Sequence, residues 1–401
     1  MNNTNTKSGS YSKVIAVILF FALTVGNYFQ YQLTPLAGQL MADLGITQNQ
    51  FSSIFTSPMI TSIILGIVAG VLADKFGIKK VIAVALVIAA AGLCIRPFAE
   101  SYGPLFASMV LGGLGITFLN TNLSKIIGGW YTPQQIGSVM GIIMAGNTVG
   151  MTLGTATTAM LPSMTTAFWI SGIAAVLVAV LWIAFVREGP YSRTKSGQTE
   201  TVPLGQSLKT VLKSKNVWLV GICLAFILGC NVALTSFLPT ALQSRGYTEA
   251  AAGLVSSVMT IGSFCGTFLG PIIITKLPRM KPSLIICAIV AALCAAFGWA
   301  APTPLVPVLL FLAGAFISAL VPTFMSFPML LPEIGPAYAG SAGGVMTTLE
   351  LLGAVILPTY IITPAAGSNF TLYFAMAGIS AALMVIFALF LPELNRRKKT
   401  A

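Results

Sequence analysis

The stretch Gly137-Ser-Val-Met-Gly141-Ile-Ile-Met-Ala-Gly146-Asn147-Thr-Val-Gly150 returns 203 positions later as Gly340-Ser341-Ala-Gly-Gly344-Val-Met-Thr-Thr-Leu-Glu350-Leu-Leu-Gly353. Three glycines and a serine recur in register, and Glu350 falls where Asn147 stood. Both copies lie inside long apolar segments, so the duplication is one of membrane-spanning structure, with one design written twice along the chain.

The rest of the chain fits that reading. Of 401 residues, 56% are hydrophobic and 7% charged, and the mean hydropathy is +0.91. A water-soluble domain does not carry such a balance, so an integral membrane protein is expected. Runs long enough for a helix to cross the bilayer, about 20 residues for ~30 Å of hydrocarbon, fit twelve times. They lie near 14–37, 50–73, 81–99, 103–129, 136–160, 165–186, 216–240, 250–275, 282–301, 305–331, 337–363 and 368–391. The alternating stretches of about ten residues that a membrane β-barrel needs are absent. The expected architecture is all-α: two pseudo-symmetric six-helix bundles at 1–186 and 216–401, joined by a polar cytoplasmic linker at 187–215. That linker, rich in Ser, Thr, Gly and charge, reads as a flexible tether.

The formal charge of +12 invites a nucleic-acid partner, but the basic residues alternate with the segments. Lys7 and Lys13 precede the first; Lys75, Lys79 and Lys80 follow the second; Arg187, Arg193, Lys195, Lys209, Lys213 and Lys215 fill the linker. Lys276, Arg279 and Lys281 join the eighth and ninth, and Arg396, Arg397, Lys398 and Lys399 follow the last. Only Arg96, Lys125 and Arg245 fall elsewhere. Both termini are therefore predicted to be cytoplasmic, in the cell membrane, and the partners are the lipid bilayer and a small molecule rather than nucleic acid. The first run is too long for a signal-peptide core and no small-residue cleavage site follows it, so it is expected to remain as a helix. A monomer is the expected state.

Chemistry is bounded by what the chain lacks. With no histidine, an imidazole relay, a His-ligated metal and a Ser-His pair are excluded. Six cysteines (Cys94, Cys223, Cys230, Cys265, Cys287, Cys294) fall within predicted helices without CxxC spacing, which suggests packing residues rather than disulfides or zinc ligands. No metal, cofactor or catalytic constellation is expected, so the chain does not read as an enzyme.

Polar groups inside apolar segments are costly and mark cavities or helix contacts. The first segment ends in Gly26-Asn27-Tyr28-Phe-Gln30-Tyr31-Gln32-Leu-Thr34-Pro35. The seventh answers it 204 positions on, where Asn231, Pro239, Ala241 and Gln243 match Asn27, Pro35, Ala37 and Gln39. These amides and phenols either line a cavity or hydrogen-bond between helices. Asn120-Thr121-Asn122-Leu-Ser124-Lys125 places a cation about 7 Å inside the fourth segment's cytoplasmic end, where it either snorkels out or projects into a cavity. Arg96 is expected to snorkel outward and pair with Glu100, four residues on. Glu350 lies near mid-membrane and must be protonated, paired or hydrated. It is the deep carboxylate suited to carrying a proton, unless it is a permanently protonated helix-to-helix contact.

The second segment closes with Gly66-Ile-Val-Ala-Gly70-Val-Leu-Ala-Asp74-Lys75-Phe-Gly77-Ile78-Lys79-Lys80. This resembles the signature loop of the major facilitator superfamily, roughly G-x-x-x-D-(R/K)-x-G-x-(R/K)-(R/K). The resemblance implies a cytoplasmic charge network that gates the seam between bundles, carried here by Gly70, Asp74, Lys75, Gly77, Lys79 and Lys80. The first basic position after the second glycine is Ile78, and the second-half copy has Ile274 where Asp74 stands. Leu391-Pro392-Glu393 is similar to the family's usual exit from the last helix. Lys125-Ile-Ile-Gly-Gly-Trp130-Tyr131-Thr132-Pro133 resembles the branches that carry cyanate, nitrate or nitrite, and organic anions. Drug:proton antiporters instead show Gly-Pro then Gly-Gly in the fifth helix, where this chain has Gly146-Asn147 and then Val149-Gly150-Met151, and their helix-4 arginine is Ser108 here. Nitrate porters carry an arginine inside the second and eighth helices, and here those interiors have none.

The resemblance implies alternating access about a central site, with protons as the coupling ion or exchange as the mode. The expected substrate is a small anion held by Lys125, Asn122, Asn147, Asn27, Tyr28, Tyr31 and Asn231, with Glu350 coupling the proton. Export of a lipophilic cation attracted to Glu350 is the alternative.

Overall fold

The computed structural model describes the backbone of residues 4–131, 133–187, 189, 204–276, 279–327, 331 and 333–393. Within those stretches the side chains at 4–10, 67, 71, 74, 124, 133–138, 204–208, 271–276 and 335–340 lie outside the description.

The chain is a succession of helices, with no strand among the described residues. They are α1 (Thr4–Tyr31), α2 (Ala37–Leu44), α3 (Gln48–Phe76), α4 (Ile78–Ile95), α5 (Tyr102–Trp130), α6 (Pro133–Thr157) and α7 (Met164–Phe185). Then come α8 (Leu204–Lys213), α9 (Lys215–Ser244), α10 (Glu249–Lys276), α11 (Met280–Phe297), α12 (Val306–Met325) and α13 (Gly335–Val355). A π-helical stretch, Ile356–Ile362, leads into α14 (Thr363–Ala366), and α15 (Phe370–Leu389) follows. Eleven described segments are long and apolar enough to cross a membrane, and the span expected near 50–73 is α3, a 29-residue helix in which some positions are outside the description. The protein is thus a multi-pass α-helical membrane protein.

Local chemistry sets several ends. Ser163 caps α7 by accepting from the Thr166 amide at 3.1 Å, and Asn369 caps α15 by accepting from the Leu372 amide at 3.1 Å. Gly77 stands between α3 and α4 at φ 91° and ψ 133°, a conformation nearly closed to residues with a Cβ. Pro358, which has no N–H to donate, sits inside the π-helical stretch, and its carbonyl accepts from the Thr363 hydroxyl.

The helices form two compact units, Met1–Ile46 with Ser57–Thr199, and Thr47–Thr56 with Glu200–Ala401. The first turns of α3 thus belong with the second unit. There Phe51 meets the Phe237 ring at 5.3 Å, and the Ser52 and Thr56 hydroxyls lie 3.1 and 3.0 Å from that of Thr359. In the first unit, Ile15, Leu19, Leu23, Ile82, Leu119 and Trp182 anchor the apolar core, and the Trp182 indole donates to the Lys79 carbonyl. Part of the expected flexible linker is ordered as α8, because Leu204, Leu208, Val211 and Leu212 recur at helical spacing; Val211 is fully buried.

The glycine-rich repeat is a packing seam. On α6, a Cβ at Gly146, Gly150 or Gly154 would strike the carbonyl oxygens of Phe20, Thr24 and Tyr28 on α1, each 126 positions earlier. In the second unit a Cβ at Gly353 would strike Ala225, and Gly221 and Gly229 face Leu349 and Leu357, in each case 128 positions apart. Aligning the repeats at 203 and 204 would set Gly353 against Leu228. The α9–α13 crossing is therefore slid by three residues, about 4.5 Å along the axis, relative to α1–α6.

Candidate functional site

In the first unit, the crossing of α1 and α6 brings two of the expected residues together. Asn27 Nδ2 donates to Asn147 Oδ1 at 2.8 Å and to the Leu23 carbonyl at 3.1 Å. The glycine seam makes this possible: with Gly150 against the Thr24 carbonyl, the backbones approach closely enough for two short amides to meet. Both side chains are half-buried. Helix-to-helix hydrogen bonding is thus part of what they do.

Tyr28 is half-buried and Tyr31 is buried, each within the last turn of α1. Asn122 is fully buried: its Nδ2 donates to the Ala69 carbonyl of α3 and to Phe118, four residues back on α5. It ties two helices together. Lys125, by contrast, is exposed, as are Asn120 and Thr121 on the same helix. Thr121 and Lys125 share a face of α5, and Thr121 lies over Gly70 of α3.

In the second unit, Glu350 on α13 is 8% exposed and neither hydrogen-bonded nor ion-paired among the described residues. Asn231 on α9 is equally buried, and its carbonyl accepts from the Thr235 hydroxyl. In sequence these two are the counterparts of Asn147 and Asn27, yet no bond joins them. The three-residue slide is the reason: on the α9–α13 register Leu228, not Asn231, takes the place opposite Glu350.

Along the expected gating loop, Lys75 and Lys80 are exposed and Lys79 is half-buried, with Lys75 Nζ 5.2 Å from the centre of the Phe76 ring. The side chain of Asp74 and that of Ile274 lie outside the described residues.

One expectation is overturned. Arg96 does not snorkel and does not pair with Glu100. It is completely buried, with Nη1 donating to the Phe29 carbonyl at 3.0 Å and its guanidinium carbon 3.9 Å from the centre of the Phe168 ring. Position near a segment end made snorkelling the cheap choice; the orphaned carbonyl at the end of α1 and the ring of α7 offered a better one. An arginine in an apolar helix was the available signal, but its partners lie 67 and 72 positions away and no local pattern names them.

Among the described residues no group of three or more Cys, Asp or Glu side chains could hold a metal ion. Membrane-length helices carrying single, separated polar groups are the frame of a polytopic membrane protein. Residues 16–358 match the family model for the Major Facilitator Superfamily, and the chain belongs to that family, whose members are transporters and not enzymes. The hexuronate transporter of Bacillus subtilis is 25% identical, covering 94% of each chain. The 3-(3-hydroxy-phenyl)propionate transporter of Escherichia coli is 23% identical over 88% of this chain and 90% of that one. The cyanate transport protein CynX of Escherichia coli is 24% identical over 89% and 92%. In structure the chain is similar to a D-xylose-proton symporter, with a TM-score of 0.78 at 18% identity over 96% of this chain and 99% of that one. The protein is accordingly a multi-pass membrane protein and a secondary transporter of small solutes.

Proposed function

We propose that the transported solute is a small anion, an organic acid or an inorganic ion, moved by alternating access with proton coupling or exchange. The observation that carries this reading is Lys125: an exposed cation, beside exposed Asn120 and Thr121, inside a helix that is otherwise apolar. Polar side chains at that depth face water or ligand rather than lipid, and an ammonium there attracts a carboxylate or a small oxyanion. The three relatives support it, since the substrates in their names, a hexuronate, a phenylpropionate and cyanate, are all anions. Asn27, Asn147, Tyr28 and Tyr31 supply hydrogen-bonding groups in the same unit, and Asn231 does so in the other. Glu350 serves as the proton carrier, because a buried carboxylate without a partner is neutral when loaded and costly when ionised. Gly70, Asp74, Lys75, Gly77, Lys79 and Lys80 form the cytoplasmic gate, and both termini are cytoplasmic.

The test is a thermal-stability panel on purified protein, wild type beside Lys125→Ala, with D-glucuronate, hydroxyphenylpropionate, cyanate, nitrate, neutral sugars and lipophilic cations. A ligand at about 100 times its dissociation constant stabilises the state that binds it by roughly 2.7 kcal/mol. One anion class should raise the melting temperature of wild type and not of the mutant. The second reading, export of a lipophilic cation, is favoured by Glu350, unpaired among the described residues; stabilisation by cations alone, equal in both proteins, would establish it instead. In proteoliposomes, Glu350→Gln should keep substrate exchange and lose pH-driven accumulation, and accumulation at the wild-type level would remove the coupling role.

A further inference from the structure

The end of α1 holds an irregularity that accounts for the placement of Arg96. In a continuing α-helix the Leu33 amide would donate to the Phe29 carbonyl; here it donates to Gln30 at 3.2 Å, and the chain turns away. The neighbouring carbonyls are all satisfied locally: Tyr28 accepts from the Gln32 amide at 3.0 Å, and Tyr31 accepts from the Thr34 amide and hydroxyl. Among the carbonyls of Tyr28 to Tyr31 only that of Phe29 accepts no backbone amide, and Arg96 Nη1 donates to it. The same turn is tied to α7 by Gln32 Nε2, which donates to the Ala167 carbonyl at 2.9 Å, next to the Phe168 ring that Arg96 covers. A guanidinium at a helix C-terminus also opposes the negative end of the helix dipole.

A fully buried arginine is expensive, and this one leaves Nε and Nη2 without partners. An apolar side chain would fill the space more cheaply, so packing does not explain it. We infer that Arg96 is a positioning residue: by holding the Phe29 carbonyl it fixes the last turn of α1, and with it Asn27, Tyr28 and Tyr31, in the geometry that meets the solute. The inference rests on the reading of these α1 groups as solute-facing.

Hydrogen exchange on the ligand-free, full-length protein in nanodiscs tests it. In Arg96→Gln the amides of residues 31–37 should exchange about tenfold faster, the loss expected for one hydrogen bond to a charged group, with α4 and α5 unchanged. Arg96→Lys should restore most of the protection, and Phe168→Leu should give a smaller increase in the same segment. In parallel, D-glucuronate binding followed by calorimetry should weaken about tenfold in Arg96→Gln and within threefold in Arg96→Lys, about 1.4 kcal/mol against less than half of that. Unchanged exchange at 31–37, or an equal rise throughout the first unit, would overturn the inference. Because exchange is read without ligand, it decides the role of Arg96 even if D-glucuronate fails to bind wild type, a result that counts against the anion reading alone.

Discussion

At the scale of single residues, the polar side chains of the first unit divide by what they touch. Asn27 and Asn147 hold each other, Asn122 holds α3 to α5, and Lys125 is exposed. A double-mutant cycle on Asn27→Ala and Asn147→Ala should give a coupling of about 0.6 kcal/mol in thermal unfolding, the usual size for hydrogen bonds between membrane helices; additive effects would mean that the bond contributes nothing. Asn122→Ala should lower stability by about 1–2 kcal/mol while leaving solute affinity unchanged, since it removes donors from two carbonyls and nothing from the surface. Gly77→Ala should cost about 1–3 kcal/mol, because φ 91° is strained for any side chain. Which residues were polar in an apolar setting was legible in the sequence. Which of them were satisfied by another helix was not, because the partners that join helices, Asn147 for Asn27 and the Ala69 carbonyl for Asn122, lie at a distance set by helix crossing.

At the scale of elements, the glycine seam between α1 and α6 and its counterpart between α9 and α13 govern what the repeats can build. The motif recurs, but the register does not, and a three-residue slide is enough to separate Asn231 from Glu350. Gly150→Ala and Gly353→Ala should each destabilise by about 1–3 kcal/mol, since the added methyl meets a facing backbone rather than a yielding side chain; a neutral change in melting temperature at either position would mean that the helices stand further apart. A second asymmetry lies at the junction of the first and third membrane spans of each unit, α1 with α4 and α9 with α11. In the first unit Arg96, from the end of α4, holds the end of α1; in the second Arg245, from the end of α9, donates to the Trp299 and Ala301 carbonyls after α11. One junction is pinned in both units, with the guanidinium supplied from opposite sides.

At the scale of the whole molecule, the alternation of Lys and Arg with the spans predicts that both termini are cytoplasmic. A protease-sensitive tag added after Ala401 should be cut in inside-out vesicles and spared in right-side-out ones, and the opposite pattern would invert the assigned topology. Composition, span length and charge alternation determined the membrane setting and the helical class, because each depends on summed local properties that need no partner: about 20 apolar residues make a span whatever they pack against. The loop from Gly70 to Lys80 was legible for a similar reason, as its spacing is contiguous. Only the tertiary structure decided that Arg96 turns inward to a carbonyl and a ring, that Asn147 is half of a bonded pair, and that Glu350 meets no hydrogen-bond or ionic partner among the described residues. Those outcomes depend on the register of one helix on another, which is set by where glycines let backbones touch, and a shift of one turn changes every partner while leaving the sequence pattern intact.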